Sequence, residues 1–199
     1  WEFIIINDGS TDGSLEIIRH YEKLDSRIIV INQENMGLTK ALNVGIKRST
    51  GSYIARQDAD DRSVLNRLEK QLYVLDKFKL DVVTSRAFGN KGVVPNRWIL
   101  NFNQSDVLKT GNIFIHGTFF INRRVFDTQS YNENYLYAQD FKFILDLFEN
   151  NFRVGYMVIP LYFLNNLSTS ISNTKTYEQD EYVLLALNDS FGNNRCFSF

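Results

Sequence analysis

Three carboxylates fall within four positions in Asp58-Ala59-Asp60-Asp61, directly after the run Tyr53-Ile54-Ala55-Arg56-Gln57. Like charges this close repel. At about 4 Å each pair costs roughly 1 kcal/mol in water, and about 4 at the effective dielectric of a half-buried site. A divalent cation such as Mg2+ or Mn2+ relieves that repulsion, since it takes carboxylate oxygens and keeps positions open for phosphate oxygens. The competing reading is an Asp-rich turn that caps the next helix, with Arg56, Arg62 and Arg67 neutralising it. Asp61 suits either role.

Two further groups have types and places that suit a nucleotide. Asp8 ends the apolar run Phe3-Ile4-Ile5-Ile6, where a carboxylate can accept from a base N–H, or else bond to turn amides. Asn35 and Lys40 flank the start of a helical pattern, where amides and a cation can meet ribose and phosphate. A polar loop with a solvated lysine is the alternative there.

The elements that must position these groups alternate. Phe3–Ile6 reads as a strand covered on both faces, followed by a Gly/Asp/Ser turn and a helix with Leu15, Ile18 and Tyr21 on one face and Asp12 as N-cap. Ile28–Ile31 is a second strand. Leu38, Ala41, Leu42, Gly45 and Ile46 form the inward stripe of a second helix, which Gly51 should stop. The strand into the acidic run follows, and then a helix with Ser63 as N-cap and Leu65, Leu68, Leu72 and Leu75 inward. This order predicts an α/β domain with a mainly parallel sheet, ligands lying at the carboxyl ends of its strands.

Beyond Asp81–Ser85 the pattern loosens. Residues 87–112 read as loops with a hairpin and a short helix, and Ile113–Ile121 as a strand interrupted at His116-Gly117. An aromatic loop over Tyr131–Tyr137 leads to a helix opened by Gln139-Asp140, with Phe141, Ile144, Leu145 and Phe148 on its apolar face. Arg153–Ile159 reads as a last strand and Thr174–Leu187 as a last helix.

The 199 residues suffice for one domain with a sizeable core, and 44% apolar with 23% charged residues is ordinary for a globular chain. A net charge of −1 supplies no field to draw nucleic acid or anionic lipid. The single cysteine, Cys196, cannot pair internally, which points to a reducing compartment. The longest apolar run, Gly155 to Leu164, is too short to span a bilayer and contains Pro160. The chain opens at Trp1 and is strand-like by residue 3, so it reads as a fragment lacking its natural start.

Asn7-Asp8-Gly9-Ser10-Thr11-Asp12-Gly13-Ser14 after an apolar strand resembles the signature of family 2 glycosyltransferases. Asn35-x-Gly37 with Asn43 and Gly45 on the next helix is similar to that family as well. So are Asp58-Ala59-Asp60-Asp61 with Arg67 and Gln71, which match its metal-binding DXD segment. Gly117, Arg123 and Arg124, then Gln139-Asp140, match its acceptor side. The resemblance runs over roughly residues 2 to 160 and implies the GT-A fold, a Rossmann-like α/β sandwich. It also implies one domain over 1–199, with a nucleotide-binding part at 1–86, an acceptor-binding part at 87–165 and a helical tail at 174–199. The family normally has an earlier strand inside the sheet that helps hold the base, and this chain starts after it.

The resemblance further implies that Asp58 faces the ribose, that Asp60 with Asp61 holds Mg2+ or Mn2+, and that Asp8, Asn35, Lys40 and Arg67 bind the nucleotide-diphospho-sugar. Asp140 is the candidate general base, deprotonating the acceptor hydroxyl; a helix N-cap is its structural alternative. His116 reads more readily as a hydrogen-bonded packing residue than as an acceptor contact. The implied activity is inverting transfer of a sugar to a hydroxyl of a glycan or lipid-linked acceptor, in bacterial surface polysaccharide synthesis. Its place would be the cytoplasm, peripheral at the inner face of the membrane. A sugar-phosphate nucleotidyltransferase and a non-catalytic sugar-nucleotide-binding module are the rival readings.

Overall fold

The computed structural model describes residues 1–95, 112–165 and 175–191. Strands β1 (Phe3–Asp8) and β2 (Ile28–Gln33) pair in parallel, with Phe3 opposite Ile28 and Asp8 opposite Gln33. Helix α1 (Ser14–Leu24) makes the crossover between them, and α2 (Leu38–Arg48) follows. Among the described residues these two strands form a sheet of their own. The apolar run of β1 is therefore only partly covered, and Phe3 stays 46% exposed, where a strand buried on both faces is expected.

A six-stranded sheet carries the rest. Its order is β3 (Tyr53–Ala55), β7 (Phe120–Asn122), β5 (Val82–Gly89), β8 (Val154–Phe163) and β4 (Arg62–Ser63), with β6 (Gly92–Val94) paired to β5. Here β5 and β8 run parallel and the remaining pairings are antiparallel. The sheet is thus mixed: β4, β6 and β7, strands of two or three residues, each pair antiparallel with their neighbours. Within β8, Pro160 sits at a register shift against Arg86, a position where a missing N–H leaves no gap in the ladder.

Alternation sends Val82 and Ile121 to one face and Val83 and Phe120 to the other. The first face packs with Phe143, Ile144 and Leu147 of α4 (Gln139–Glu149), and the second with Leu75 of α3 (Arg67–Phe78) and Leu161. Helix α5 (Thr176–Phe191) packs on α4 through Ala186 and Leu187. Among the described residues no helix is long and apolar enough to cross a membrane.

Several boundaries differ from the sequence pattern. Ser63 belongs to β4 rather than capping a helix, so α3 starts at Arg67. Its inward stripe is Arg67, Gln71 and Leu75, while Leu65 is fully exposed and Leu68 46% exposed. Asp12 accepts from Ser14 N in the turn just before α1, whose N-cap residue is Gly13. No residue of α1 is buried, and Tyr21 is 54% exposed. Helix α2 closes at Ser49, whose hydroxyl donates to Ile46 O, two residues before Gly51. The expected hairpin is β5–β6; the expected short helix and the start of the predicted C-terminal helix fall outside the described residues.

Candidate functional site

The carboxylate run leaves the six-stranded sheet where Arg56 N donates to Phe119 O at 2.9 Å. Gln57 then closes the turn from inside. Its Nε2 donates to Asp58 O at 2.9 Å and Asp61 O at 3.1 Å, and its Oε1 accepts from Ser63 Oγ at 2.6 Å. The Asp58 carboxylate pairs with the Arg56 guanidinium, which is almost wholly buried. Asp60 is exposed, while Asp61 is half-buried and accepts from Asn165 N at 2.7 Å. Burial pushes the Asp61 carboxyl above its ordinary range, and the charges of Asp58 and Asp60 push it further.

That mutual repulsion is the physical mark of a place that suits a cation. Among the described residues no three His, Cys, Asp or Glu side chains converge into a protein-only cage. One or two carboxylates completed by phosphate oxygens and water is the shell that Mg2+ commonly takes, and Asp60 with Asp61 fits it.

Arg67 is not where the sequence reading puts it. It is 3% exposed, and its Nη1 and Nη2 donate to Gly117 O at 2.6 Å and Arg56 O at 2.9 Å. Burial, with Arg56 nearby, lowers its pKa to about 10. Arg67 is the floor under the carboxylate loop: its guanidinium is buried and turned to backbone oxygens of the protein rather than to the surface where a nucleotide would lie.

Asp8 reaches across to the β2–α2 loop. Oδ1 accepts from Gln33 Nε2 at 2.7 Å and Met36 N at 2.9 Å, and Oδ2 accepts from Gly37 N at 2.9 Å. Burial alone would raise its pKa, but these donors outweigh it and hold the carboxyl below its usual range. Beside it Gly9 has φ +75°, and a Cβ there would stand 2.7 Å from Asn35 N. Only glycine admits that approach. The side chains of Asn35 and Lys40 are exposed on the loop and helix start thus fixed.

The acceptor-side residues come in from the other half of the chain. Asp140 is the second residue of α4; the N-cap is Ala138 at φ 50°, and no side chain caps the helix. The N-cap alternative for Asp140 is thereby replaced by a first-turn position. Its Oδ2 accepts from Asn112 Nδ2 at 2.6 Å. Burial raises its pKa, against the Phe141 N–H, the charge of Arg56 and the Asn112 bond. His116 Nε2 lies 2.7 Å from the Tyr131 hydroxyl, and burial, then the Arg56 charge, hold its pKa well below the usual value. Tyr131 is raised by burial, and Asp140 and Asp58 add to the rise. Arg56, Asp58, His116, Tyr131 and Asp140 therefore share one electrostatic neighbourhood, with Arg56 as its cation.

Helix α2 secures the loop that leads to Asp140. Asn43 exchanges bonds with Tyr131, Nδ2 to O at 2.9 Å and N to Oδ1 at 3.1 Å, and Thr39 Oγ1 donates to Tyr135 O at 2.8 Å. Sequence reasoning missed Thr39, Gln57 and Tyr162. Tyr162 accepts at its hydroxyl from Asp58 N at 3.0 Å, and only Gly117, whose Cβ would meet that hydroxyl, hints at it in the sequence.

The family model described as Glycosyl transferase family 2 matches residues 1–129. EpsE of Bacillus subtilis (strain 168), named as a glycosyltransferase, is 32% identical over 194 residues, covering 93% of this chain and 70% of EpsE. TuaG of the same organism, named as a glycosyltransferase of teichuronic acid biosynthesis, is 47% identical over 73 residues, 36% of this chain and 29% of TuaG. Among solved structures, S. aureus TarS 1-349 in complex with UDP-GlcNAc superimposes with a TM-score of 0.72 at 19% identity. That match covers 96% of this chain and 58% of TarS 1-349. The mannosyltransferase PcManGT from Pyrobaculum calidifontis, in complex with GDP-Man and Mn2+, also gives 0.72, at 14% identity over 98% of this chain and 56% of PcManGT. The chain thus spans little more than half the length of these two solved proteins, and the likeness to them concerns the fold.

Proposed function

Because the chain belongs to glycosyl transferase family 2 and has the GT-A fold, we propose that the whole protein is an inverting, metal-dependent glycosyltransferase. In this reading it moves a sugar from a nucleotide-diphospho-sugar to a hydroxyl of a glycan or lipid-linked acceptor. Bacterial surface polysaccharide synthesis is the setting that the name of TuaG, a glycosyltransferase of teichuronic acid biosynthesis, supports; the cytoplasmic face of the membrane is the place proposed with it. The observation that carries the proposal is the carboxylate loop leaving the sheet edge, with Asp58 paired to buried Arg56, Asp60 exposed and Asp61 held half-buried by Asn165 N.

Asp8 holds the 33–37 loop in place, and Asn35 and Lys40 on its exposed side contact the nucleotide. Asp58, with one oxygen paired to Arg56, offers the other to the ribose. Asp60 with Asp61 would hold Mg2+ or Mn2+, which supplies Lewis-acid stabilisation of the charge growing on the leaving diphosphate. Asp140 takes the proton of the acceptor hydroxyl as its oxygen bonds to the anomeric carbon and the carbon–phosphate oxygen bond breaks. Burial raises the basicity of that carboxylate, which suits it to the task near neutral pH. One base and one in-line displacement give inversion.

Proton NMR on full-length protein with a panel of nucleotide sugars and acceptors tests this. An anomeric signal of inverted configuration, together with nucleoside diphosphate, is expected. Formation of a sugar nucleotide from sugar phosphate and nucleoside triphosphate would instead establish a nucleotidyltransferase. Binding of donor with no turnover by any acceptor would establish a non-catalytic module.

A further inference from the structure

The carboxylate loop is tied to the sheet by one side chain that the mechanism above does not use. Tyr162, near the end of β8, is fully buried. Its hydroxyl oxygen accepts from Asp58 N at 3.0 Å, and Gln57 Nε2, whose two N–H are shared with Asp58 O and Asp61 O, lies 3.1 Å from it. One phenol oxygen thus meets the residues that open the Asp58–Asp61 turn.

The ring is itself clamped. The Arg67 guanidinium carbon stands 5.4 Å from its centroid, and Gly117 lies against the hydroxyl so closely that a Cβ would come within 2.4 Å of it. Arg67 in turn donates to Gly117 O and to Arg56 O. On the far side of the loop, Ser63 pairs with Tyr162 in the β4–β8 register, and Val64 N donates to Leu161 O at 3.1 Å. Both ends of the 56–64 segment are therefore fixed relative to β8.

We infer that Tyr162 is a positioning residue for the reaction, its hydroxyl setting the backbone of Asp58–Asp61 so that the carboxylates are presented to the metal-bound diphosphate. This rests on the glycosyltransferase reading of the loop. A packing role would need only the ring, which phenylalanine supplies at nearly the same volume. The hydroxyl, by contrast, has its hydrogen-bond partners among the described residues in Gln57 and Asp58, at the start of the carboxylate loop.

Tyr162→Phe in the full-length protein separates the two. At constant fold, the Mn2+ concentration for half-maximal donor turnover should rise about five- to tenfold, the worth of one to two hydrogen bonds. The acceptor KM should stay as in wild type, and the peptide over residues 56–62 should exchange deuterium faster while peptides from α3 and α4 do not change. Wild-type Mn2+ dependence together with wild-type exchange at 56–62 would overturn the inference. If wild-type turnover itself ignores Mn2+ and chelator, the metal reading fails, and the exchange of the 56–62 peptide then decides the role of Tyr162 by itself. Should Tyr162→Phe not fold, Gln57→Met removes the second partner of the same hydroxyl and is expected to move both readouts in the same direction.

Discussion

Replacing Asp140 by asparagine changes one proton acceptor and almost no volume. Position 140 lies in the first turn of α4, where a negative charge gains about 0.3–1 kcal/mol from the helix dipole. Burial outweighs that gain together with the Arg56 charge and the Asn112 bond, because the carboxyl pKa is raised overall. A carboxyl whose folded pKa exceeds its unfolded value binds its proton more tightly when folded. Its ionised form therefore costs stability above the folded pKa, and that cost disappears as pH falls through it. Asp140→Asn should accordingly melt at or above the wild-type temperature at pH 7.5, with the difference shrinking toward pH 4. Transfer should fall by about 10² to 10⁴, which is about 3 to 5 kcal/mol of transition-state stabilisation. The acid limb of the wild-type rate profile should lie above the ordinary aspartate range, since the base works only when ionised. Calorimetric melting across pH and initial rates of acceptor glycosylation on the same preparations make the assay. A variant less stable at neutral pH, with turnover intact, would refute the reasoning on both counts.

Two further substitutions test the scaffold. Asp8→Ala leaves Gln33 Nε2, Met36 N and Gly37 N without their acceptor, for an expected loss of about 2–3 kcal/mol at pH 7 in denaturant titration. Because the folded pKa of Asp8 is lowered, its contribution is full above the unfolded pKa and is lost as pH falls through the folded one; the gap between variant and wild type should close at acid pH, and equal stability at pH 7 would contradict the clamp. Arg67→Met removes both donors to Gly117 O and Arg56 O and should lower stability by about 3 kcal/mol. An unchanged melting temperature with a raised donor KM would instead restore Arg67 to the nucleotide.

The carboxylate loop is legible in the sequence because three like charges in four residues have few explanations, and its neighbours Asn35-x-Gly37 and Asn7-Asp8-Gly9 carry turn chemistry that glycine alone permits. Gly9 shows why: its left-handed φ and the closeness of Asn35 N exclude any side chain. Arg67 is not legible in the same way. It stands four residues before Gln71 and eight before Leu75, so it lies on the inward helix face, yet its charge suggests solvent or ligand. The leucines at 65 and 68 mislead for the opposite reason, being apolar and exposed. Helix periodicity was displaced there by the pairing of Arg62 and Ser63 with β8, a contact some hundred residues away in sequence. Tyr162 left no local pattern at all, since its partners are backbone and side-chain atoms of residues 57 and 58 brought to it by the sheet. Strand direction was equally hidden, because short antiparallel strands and buried parallel ones share the same apolar residues.

The most direct measurement is calorimetric binding of nucleoside diphosphate to the full-length protein, with Mn2+, with chelator and in Asp60→Ala. Asp60 is exposed on the loop whose carboxylates repel one another, so its removal should leave the fold intact. Tight binding with Mn2+ that weakens about tenfold or more with chelator, and equally in Asp60→Ala with the metal present, is expected. Affinity that is the same in all three conditions would contradict the assignment of the Asp58–Asp61 loop as the metal-assisted donor site.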